Sequence, residues 1–336
     1  MKVLLTGGTG FLGRNVGRRL AAAGHRLRLL VREGSSRDGL PEGAELATGD
    51  VTDLDSMKRA AEGCEAVVHM AALVKMWVPE RERFDAVNLG GLLNALAAAR
   101  ETGGRLLYTS SFIAVGPTGA APADESQRHS GRGYRNDYER TKAAADGLAQ
   151  QAVENGQDVV RVYPGVVYGP GELTDGNLVV KTLLDHLRGQ VPGIIGPGDR
   201  LWSYAYVEDV AEGHLRALEQ GRSGERYFLA GDNVSMVDYY ALVAELTGVS
   251  APRRHIPYAA AWALGLGMWG WAELTGHEPR LTHQVVNVFR EHWCFSSAKA
   301  ERELGYRSRS LREGLALTLD WLRAKGLRGD TAAAAR

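Results

Sequence analysis

Lys2-Val3-Leu4-Leu5-Thr6-Gly7-Gly8-Thr9-Gly10-Phe11-Leu12-Gly13 is the stretch that decides the fold. It opens as a short apolar strand, and from residue 11 to residue 23 apolar positions recur with helical period until Gly24 stops them. Glycines between a strand and a helix let backbone amides at the helix start approach an anion such as a dinucleotide pyrophosphate. Gly8, Gly10 and Gly13 fit G-x-G-x-x-G, while Gly7, Gly10 and Gly13 fit G-x-x-G-x-x-G. The second spacing is preferred, because Gly7 follows the strand directly and suits the sharp turn. Thr9, Phe11 and Leu12 complete the expected cofactor-binding turn.

Outward from this turn, strand-like and helix-like segments alternate. Residues 27–31, 66–70, 105–110 and 159–163 read as buried strands; 84–102 reads as one long helix closed by Gly103-Gly104, and 138–154 as another. That alternation predicts an α/β fold, a doubly wound parallel Rossmann-type sheet. After Gly169-Pro170-Gly171 glycines and prolines multiply, and helices at 207–219 and 236–247 dominate. The division expected is a dinucleotide-binding unit over 1–170, a smaller and mainly helical substrate part over 171–328 with segments that can return to the sheet, and a frayed tail over 329–336.

The length of 336 residues suits this two-part organisation, and 44% hydrophobic with 24% charged residues is ordinary for a globular chain. Forty Lys+Arg balance forty Asp+Glu, which argues against nucleic acid or an anionic membrane as the main partner. Two distant cysteines, Cys64 and Cys294, exclude a disulfide framework and a Cys-based zinc site and fit a reducing cytoplasm. No His spacing suggests a metal. The apolar run at 3–5 is too short for a signal peptide, and the run at 258–272 is too short to span a bilayer. A small-molecule substrate and a monomer or homodimer are expected.

The end of the second strand speaks to the cofactor. An acidic residue there binds the ribose 2′-hydroxyl of NAD, whereas an Arg accommodates the 2′-phosphate of NADP. Val31 stands at the acidic position and Arg32 follows, so NADP(H) is expected over NAD(H); Glu33 serves the hydroxyl if the register is off by two. Asp50 and Val51, after the next strand, are candidates for clamping the adenine, with a solvated turn as the bland alternative.

Tyr138-Glu139-Arg140-Thr141-Lys142 puts a phenol and an ammonium four apart on one helix face. Alone this is weak, since twelve Tyr and seven Lys give roughly 0.25 chance occurrences in this length. Here the helix follows a strand ending Tyr108-Thr109-Ser110-Ser111, whose hydroxyls lie at the carboxyl edge of the sheet. TGGTGFLG, VVHMAA, AVNLGG, YTSS, YERTK and YPGVVYGPG, in this order and spacing, resemble the extended short-chain dehydrogenase/reductase family of NAD-dependent epimerase/dehydratase type. The chain is most similar to its dihydroflavonol-reductase-like and hopanoid-associated sugar-epimerase-like members.

The resemblance implies Tyr138 as general acid or base, Lys142 lowering its pKa and holding the nicotinamide ribose, and Ser111 on the substrate oxygen, with Ser110 the runner-up. An ammonium about 4 Å from a phenol, at an effective dielectric near 20, is worth about three pKa units. Asn88 matches a family Asn beneath the active site. Met70, Ala71 and Ala72 let the cofactor lie over a strand end, Thr109 adjoins it, and Tyr163, Pro164, Val166 and Val167 flank the nicotinamide, although Tyr163 stands where many relatives differ.

Family members acting on nucleotide sugars carry an Arg in an R-D-F pattern before a V-x-D-V element. Here Trp202 falls at that place, ahead of Val207-Glu208-Asp209-Val210, which favours an apolar or aromatic substrate. Trp202 and Tyr204 are candidate substrate contacts, with the core as their bland alternative. Lys75, Met76 and Trp77 are expected at the pocket mouth. The Trp-rich run 258–272 is read as packing on the cleft or forming a subunit contact, with peripheral membrane attachment as the lesser alternative, and His186 and His214 as lying on solvated helix faces. Three functions follow: an NADP(H)-dependent ketone or aldehyde reductase first, an epimerase or dehydratase on a sugar derivative second, and a non-catalytic NADP sensor third.

Overall fold

The computed structural model describes residues 1–327; the tail at 329–336 lies outside them. Strand β1 (Lys2–Thr6) leads to α1 (Phe11–Ala22), β2 (Arg26–Val31), β3 (Glu45–Thr48), α2 (Leu54–Ala61) and β4 (Ala66–His69). Next come α3 (Glu82–Asp85), a π-helical turn (Ala86–Gly90), α4 (Gly91–Thr102), β5 (Arg105–Thr109), α5 (Asp137–Glu154) and β6 (Val159–Pro164). The later chain contains β7 (Val166–Tyr168), α6 (Leu178–Leu187), β8 (Ile194–Ile195), β9 (Leu201–Tyr206), α7 (Val207–Gln220) and β10 (Arg226–Leu229). It continues with β11 (Asp232–Ser235), α8 (Met236–Thr247), β12 (His255–Ile256), α9 (Tyr258–Thr275), α10 (His283–Phe289), α11 (Ala298–Leu304) and α12 (Leu311–Ala324).

Seven strands form one parallel sheet in the order β10-β6-β5-β4-β1-β2-β3. Successive strand residues point to opposite faces, so each strand feeds two cores. Val3, Leu5, Leu29, Val68 and Leu107 pack with Val16 and Leu20 of α1 and Val210 and Leu215 of α7. Leu4, Leu30, Val67 and Leu106 pack on the other face with Met57 of α2, Leu92 of α4 and Ala145 of α5. Burying one such side chain contributes roughly 1.5–3 kcal/mol. Because β1 pairs with β2 on one side and β4 on the other, the strand order reverses there, and a crevice opens above its carboxyl end.

The helix expected over 84–102 is interrupted by a π turn, which places Asn88 inside the molecule. The later chain holds more strand than its composition suggested: β11-β9-β7 form a second sheet, and β12 pairs with β8. The chain also returns to the first unit, since α7 packs on α1 and β10 adds to the sheet beside β6. The histidines expected on solvated faces are buried. His214 bonds Thr109 Oγ1 at 3.0 Å and the Val210 carbonyl at 2.8 Å, and His186 packs on Tyr240. Both helices press those faces against other elements, so no water reaches the rings. Among the described residues, no helix is long and apolar enough to cross a membrane.

Candidate active site

The turn after β1 distinguishes the two glycine spacings. Gly7 has φ +73°, and a methyl there would lie 2.7 Å from the Ala71 amide nitrogen and 2.8 Å from the Met70 carbonyl carbon. A methyl at Gly13 would lie 2.1 Å from the Gly7 oxygen, and one at Gly10 would touch the same oxygen at 3.4 Å. At Gly8 it would meet only the side-chain ends of Leu29 and Leu5, at 3.2 and 3.3 Å. The sterically demanding set therefore begins at Gly7. Gly10 caps α1 with no side-chain hydrogen bond, so the first amides of that helix, beginning at Phe11 and Leu12, remain for an anionic ligand. A bare helix start under a cradle that a Cβ would fill fits a dinucleotide pyrophosphate.

Thr6 ties this turn to the end of β4. Its hydroxyl lies 3.3 Å from the amides of both Met70 and Ala71, and 2.9 Å from His69 Nδ1. Burial and the nearby Lys142 hold His69 down to about 3, so it is neutral. Met70, Ala71 and Ala72 then run half-buried past the crevice. Arg32 and Glu33 are exposed at the end of β2, and neither side chain has a hydrogen bond or ion pair among the described residues. Asp50 uses Oδ1 within its own turn, accepting from the Thr52 amide and hydroxyl at 2.9 Å each, while Val51 is buried against Gly91.

Helix α5 carries the proposed reacting pair. Asn136 caps it by accepting from the Glu139 amide at 2.8 Å, and the helix runs from there under β5. Lys142 is buried and donates to the Thr109 carbonyl at 3.0 Å, its ammonium 5.2 Å from the Tyr108 ring centroid. Burial pushes Lys142 down to about 7. Tyr138, half-buried, is pushed up to about 12 by loss of water around its phenol, with the Ser111 hydroxyl acting in the opposite sense. Burial thus outweighs the depression of the phenol expected from Lys142, whose ammonium is engaged with the strand-end carbonyl. Of the two serines, Ser111 is the one beside Tyr138, and it also caps the short turn Phe112–Val115. Ser110 is buried, and its hydroxyl has no hydrogen-bond partner of good geometry among the described residues.

Asn88 acts as a brace. Its Oδ1 accepts from the Leu73 amide at 2.8 Å and its Nδ2 donates to Thr141 Oγ1 at 2.9 Å, which joins the end of β4 to the helix of the pair. Beyond it, Trp77 is buried and donates to Glu273 Oε1 at 2.8 Å; Arg81 reaches the same carboxylate at 3.0 Å, and Lys75 bonds Glu278 at 3.0 Å. The 73–81 segment is thus fastened to α9 and its C-terminal end. Met76 lies with its sulfur 4.0 Å from Asn136 Nδ2, at the first turn of α5.

Two expected contacts lie elsewhere than the sequence placed them. Tyr204 is core, buried and stacked on Tyr239 at 5.4 Å. Tyr163 is fully buried, packed on Phe228 with its hydroxyl donating to Asp146, so it presents no side chain to a cofactor. Both turn inward because alternate strand residues face the core. Pro164 is buried, while Val166 and Val167 are half-buried. Trp202 remains half-buried among Phe112, Phe289 and Trp293, at ring distances of 6.5, 5.2 and 6.5 Å. Sequence reasoning placed His214 on a solvated face and passed over Asp146. The spacing of Asp146, four residues after Lys142, was a readable signal; the bond from His214 to Thr109 spans 105 residues and had none.

A glycine turn at a sheet reversal, with a Tyr and a Lys on a helix beneath the next strand end, defines the architecture of an NAD(P)-dependent oxidoreductase. The family model described as the NAD dependent epimerase/dehydratase family matches residues 3–230. A putative dihydroflavonol 4-reductase of Synechocystis sp. is 32% identical over 332 residues, covering 96% of this chain and 94% of that protein. A 4-hydroxy-2-methyl-3-oxo-4-farnesyl-3,4-dihydroquinoline-1-oxide ketoreductase of Stigmatella aurantiaca is 33% identical, covering 99% and 98%. Among solved structures, gox2253 superposes with TM-score 0.82 at 33% identity, covering 97% of this chain and 99% of that one. The chain belongs to the NAD-dependent epimerase/dehydratase family, within the extended short-chain dehydrogenases/reductases, and is an enzyme of the NAD(P)-dependent oxidoreductase class.

Proposed function

We propose that this protein is an NADP(H)-dependent reductase of a ketone or aldehyde on a medium-sized, partly apolar molecule. The observation that carries the reading is Tyr138 beside Ser111 at the end of β5, with Tyr138 and Trp202 packed against one aromatic cluster; Trp202 falls where the resemblance implies a diphosphate-binding Arg in nucleotide-sugar enzymes. With its phenol at about 12, Tyr138 holds its proton at neutral pH and acts as the acid that protonates the substrate oxygen. Ser111 hydrogen-bonds that oxygen, Lys142 holds the ribose hydroxyls, and Asn88 keeps α5 in place. The bound nicotinamide supplies the hydride. Gly7, Gly10 and Gly13 would seat the pyrophosphate and Arg32 the 2′-phosphate.

Relatives named as a dihydroflavonol reductase and a farnesyl-quinoline ketoreductase, at 32% and 33% identity, support a reductase on an apolar carbonyl compound. The test is a panel of ketones and aldehydes followed at the NADPH absorbance band. Wild type should consume NADPH, and Tyr138→Phe should abolish turnover while binding cofactor nearly as before. Undiminished turnover in that variant refutes the assignment. A protein that purifies with tightly held oxidised cofactor and consumes no NADPH is instead an epimerase or dehydratase.

A further inference from the structure

Behind the reacting pair lies a charged cluster that the proposed chemistry does not use. Asp146 follows Lys142 by one helical turn, so the two side chains share a face of α5. Its carboxylate accepts from the Tyr163 hydroxyl and lies 3.7 Å from Arg161 Nη1. Arg161 is itself buried and held by Gln150 at 2.7 Å and the Gly224 carbonyl at 2.9 Å. The Arg226 guanidinium covers the Tyr163 ring at 4.8 Å. The side chains of this cluster come from β6, β10 and α5, with the Gly224 carbonyl from the turn before β10, so the carboxylate is clamped rather than free to turn toward water.

We propose that Asp146 is a positioning residue for the reacting pair: fastened by Tyr163 and Arg161, it supplies the fixed negative charge that keeps Lys142 an ammonium against the Thr109 carbonyl. The other titratable groups around Lys142 are uncharged. His69 on β4 is held down to about 3 and His214, which reaches Thr109 from α7, to about 4. Tyr108 on β5 and Tyr138 on α5 are pushed up by burial, as is Tyr163 on β6. The cations of the cluster contact Asp146 and the Tyr163 ring, while among the described residues Asp146 is the charge that opposes the effect of burial on Lys142. Tyr163, whose side chain faces the core, thereby gains a role as the clamp.

The inference rests on Lys142 belonging to the reacting pair, but its test needs no turnover. Protein labelled with 13C at the lysine ε-carbons is titrated by NMR, and the Lys142 signal is identified by its loss in Lys142→Arg. In Asp146→Asn the Lys142 midpoint should fall by roughly two pH units, taking the charges one helical turn apart, about 5–6 Å, at an effective dielectric near 20. Asp146→Glu, which keeps the charge, should restore most of it, and Tyr163→Phe should lower it by less. A folded Asp146→Asn with an unmoved midpoint overturns the proposal. If that variant does not fold, Tyr163→Phe decides, and an unmoved midpoint there overturns it equally. A moved midpoint in a protein without turnover upholds this inference and defeats the proposed reaction.

Discussion

Gly8→Ala and Gly13→Ala form a matched pair that separates the two readings of the phosphate-binding turn. Both replace a glycine by the same residue within one turn, so their unfolded chains stiffen by similar amounts, worth about 0.4–1 kcal/mol in favour of the variant. Their native states differ sharply. The Gly13 methyl would sit 2.1 Å from the Gly7 oxygen and 2.8 Å from its carbon, backbone atoms that yield only if the turn moves. Overpacking of that kind costs about 1–3 kcal/mol, and the displaced turn takes the helix amides with it. Gly7→Ala would add the cost of a left-handed residue at φ +73°, about 1–2 kcal/mol, to contacts of 2.7–2.9 Å with the backbone of residues 70 and 71. The Gly8 methyl meets two leucine side-chain ends at 3.2 and 3.3 Å, which shift by a few tenths of an ångström at little cost. Urea unfolding should therefore leave Gly8→Ala within about 1 kcal/mol of wild type and lower Gly13→Ala and Gly7→Ala by at least 1–3 kcal/mol. Fluorescence titration with NADPH should show the same ranking in affinity. If Gly8→Ala loses as much cofactor affinity as Gly13→Ala, the glycine set begins at Gly8 and the steric reasoning is wrong.

Replacing the exposed Arg32, whose side chain has no partner to lose, by Ala should leave stability unchanged. One charge-assisted contact to phosphate is worth about 1.5–3 kcal/mol, so NADPH should bind about ten- to a hundred-fold more weakly and NADH almost as before. Equal wild-type affinity for the two cofactors refutes this. Stability should also fall on mild acidification. His69 and His214 have folded pKa values of about 3 and about 4, below the ordinary 6.5, so their contribution is complete above that value and is lost as pH falls toward the folded values. Each loses about 1.4 kcal/mol per pH unit in this window. Urea unfolding at pH 7 and pH 5 should differ by several kcal/mol, and His214→Gln should reduce the difference by about half; equal stabilities would refute the linkage.

Most of the doubly wound core was legible because local signals and global fold agree there. Lys2–Thr6, the glycine turn and the apolar face of Phe11–Ala22 each point to the same βα junction. Tyr138 and Lys142 were legible for a similar reason, since helical spacing alone puts them on one face. Features set by distant partners were not. The π turn at Asn88 depends on a bond to Leu73 and another to Thr141, and Arg226–Leu229 is a strand only because the β6 edge offers partners. Tyr163 and Tyr204 read as pocket residues in a linear pattern; their burial is decided by Phe228 and Tyr239, which the pattern does not contain. The ordinary assumption that a lone His is solvated failed because α6 and α7 each press that residue against other elements.

The return of β10 to the edge of β6 sets the terms on which this architecture can be divided or diversified. A fragment ending near residue 170 would leave β6 with a bare edge, Arg161 without the Gly224 carbonyl, and the α1 face of the sheet without α7. Such a fragment should associate or misfold rather than stand as a module. The two halves are therefore expected to unfold together and to resist exchange between relatives by simple grafting. Novelty in substrate has to arise in the excursions that leave the sheet and come back, between β4 and α4, between β7 and α7, and between β11 and α11. Each of these loops can lengthen or change its side chains while both of its ends stay anchored in the frame.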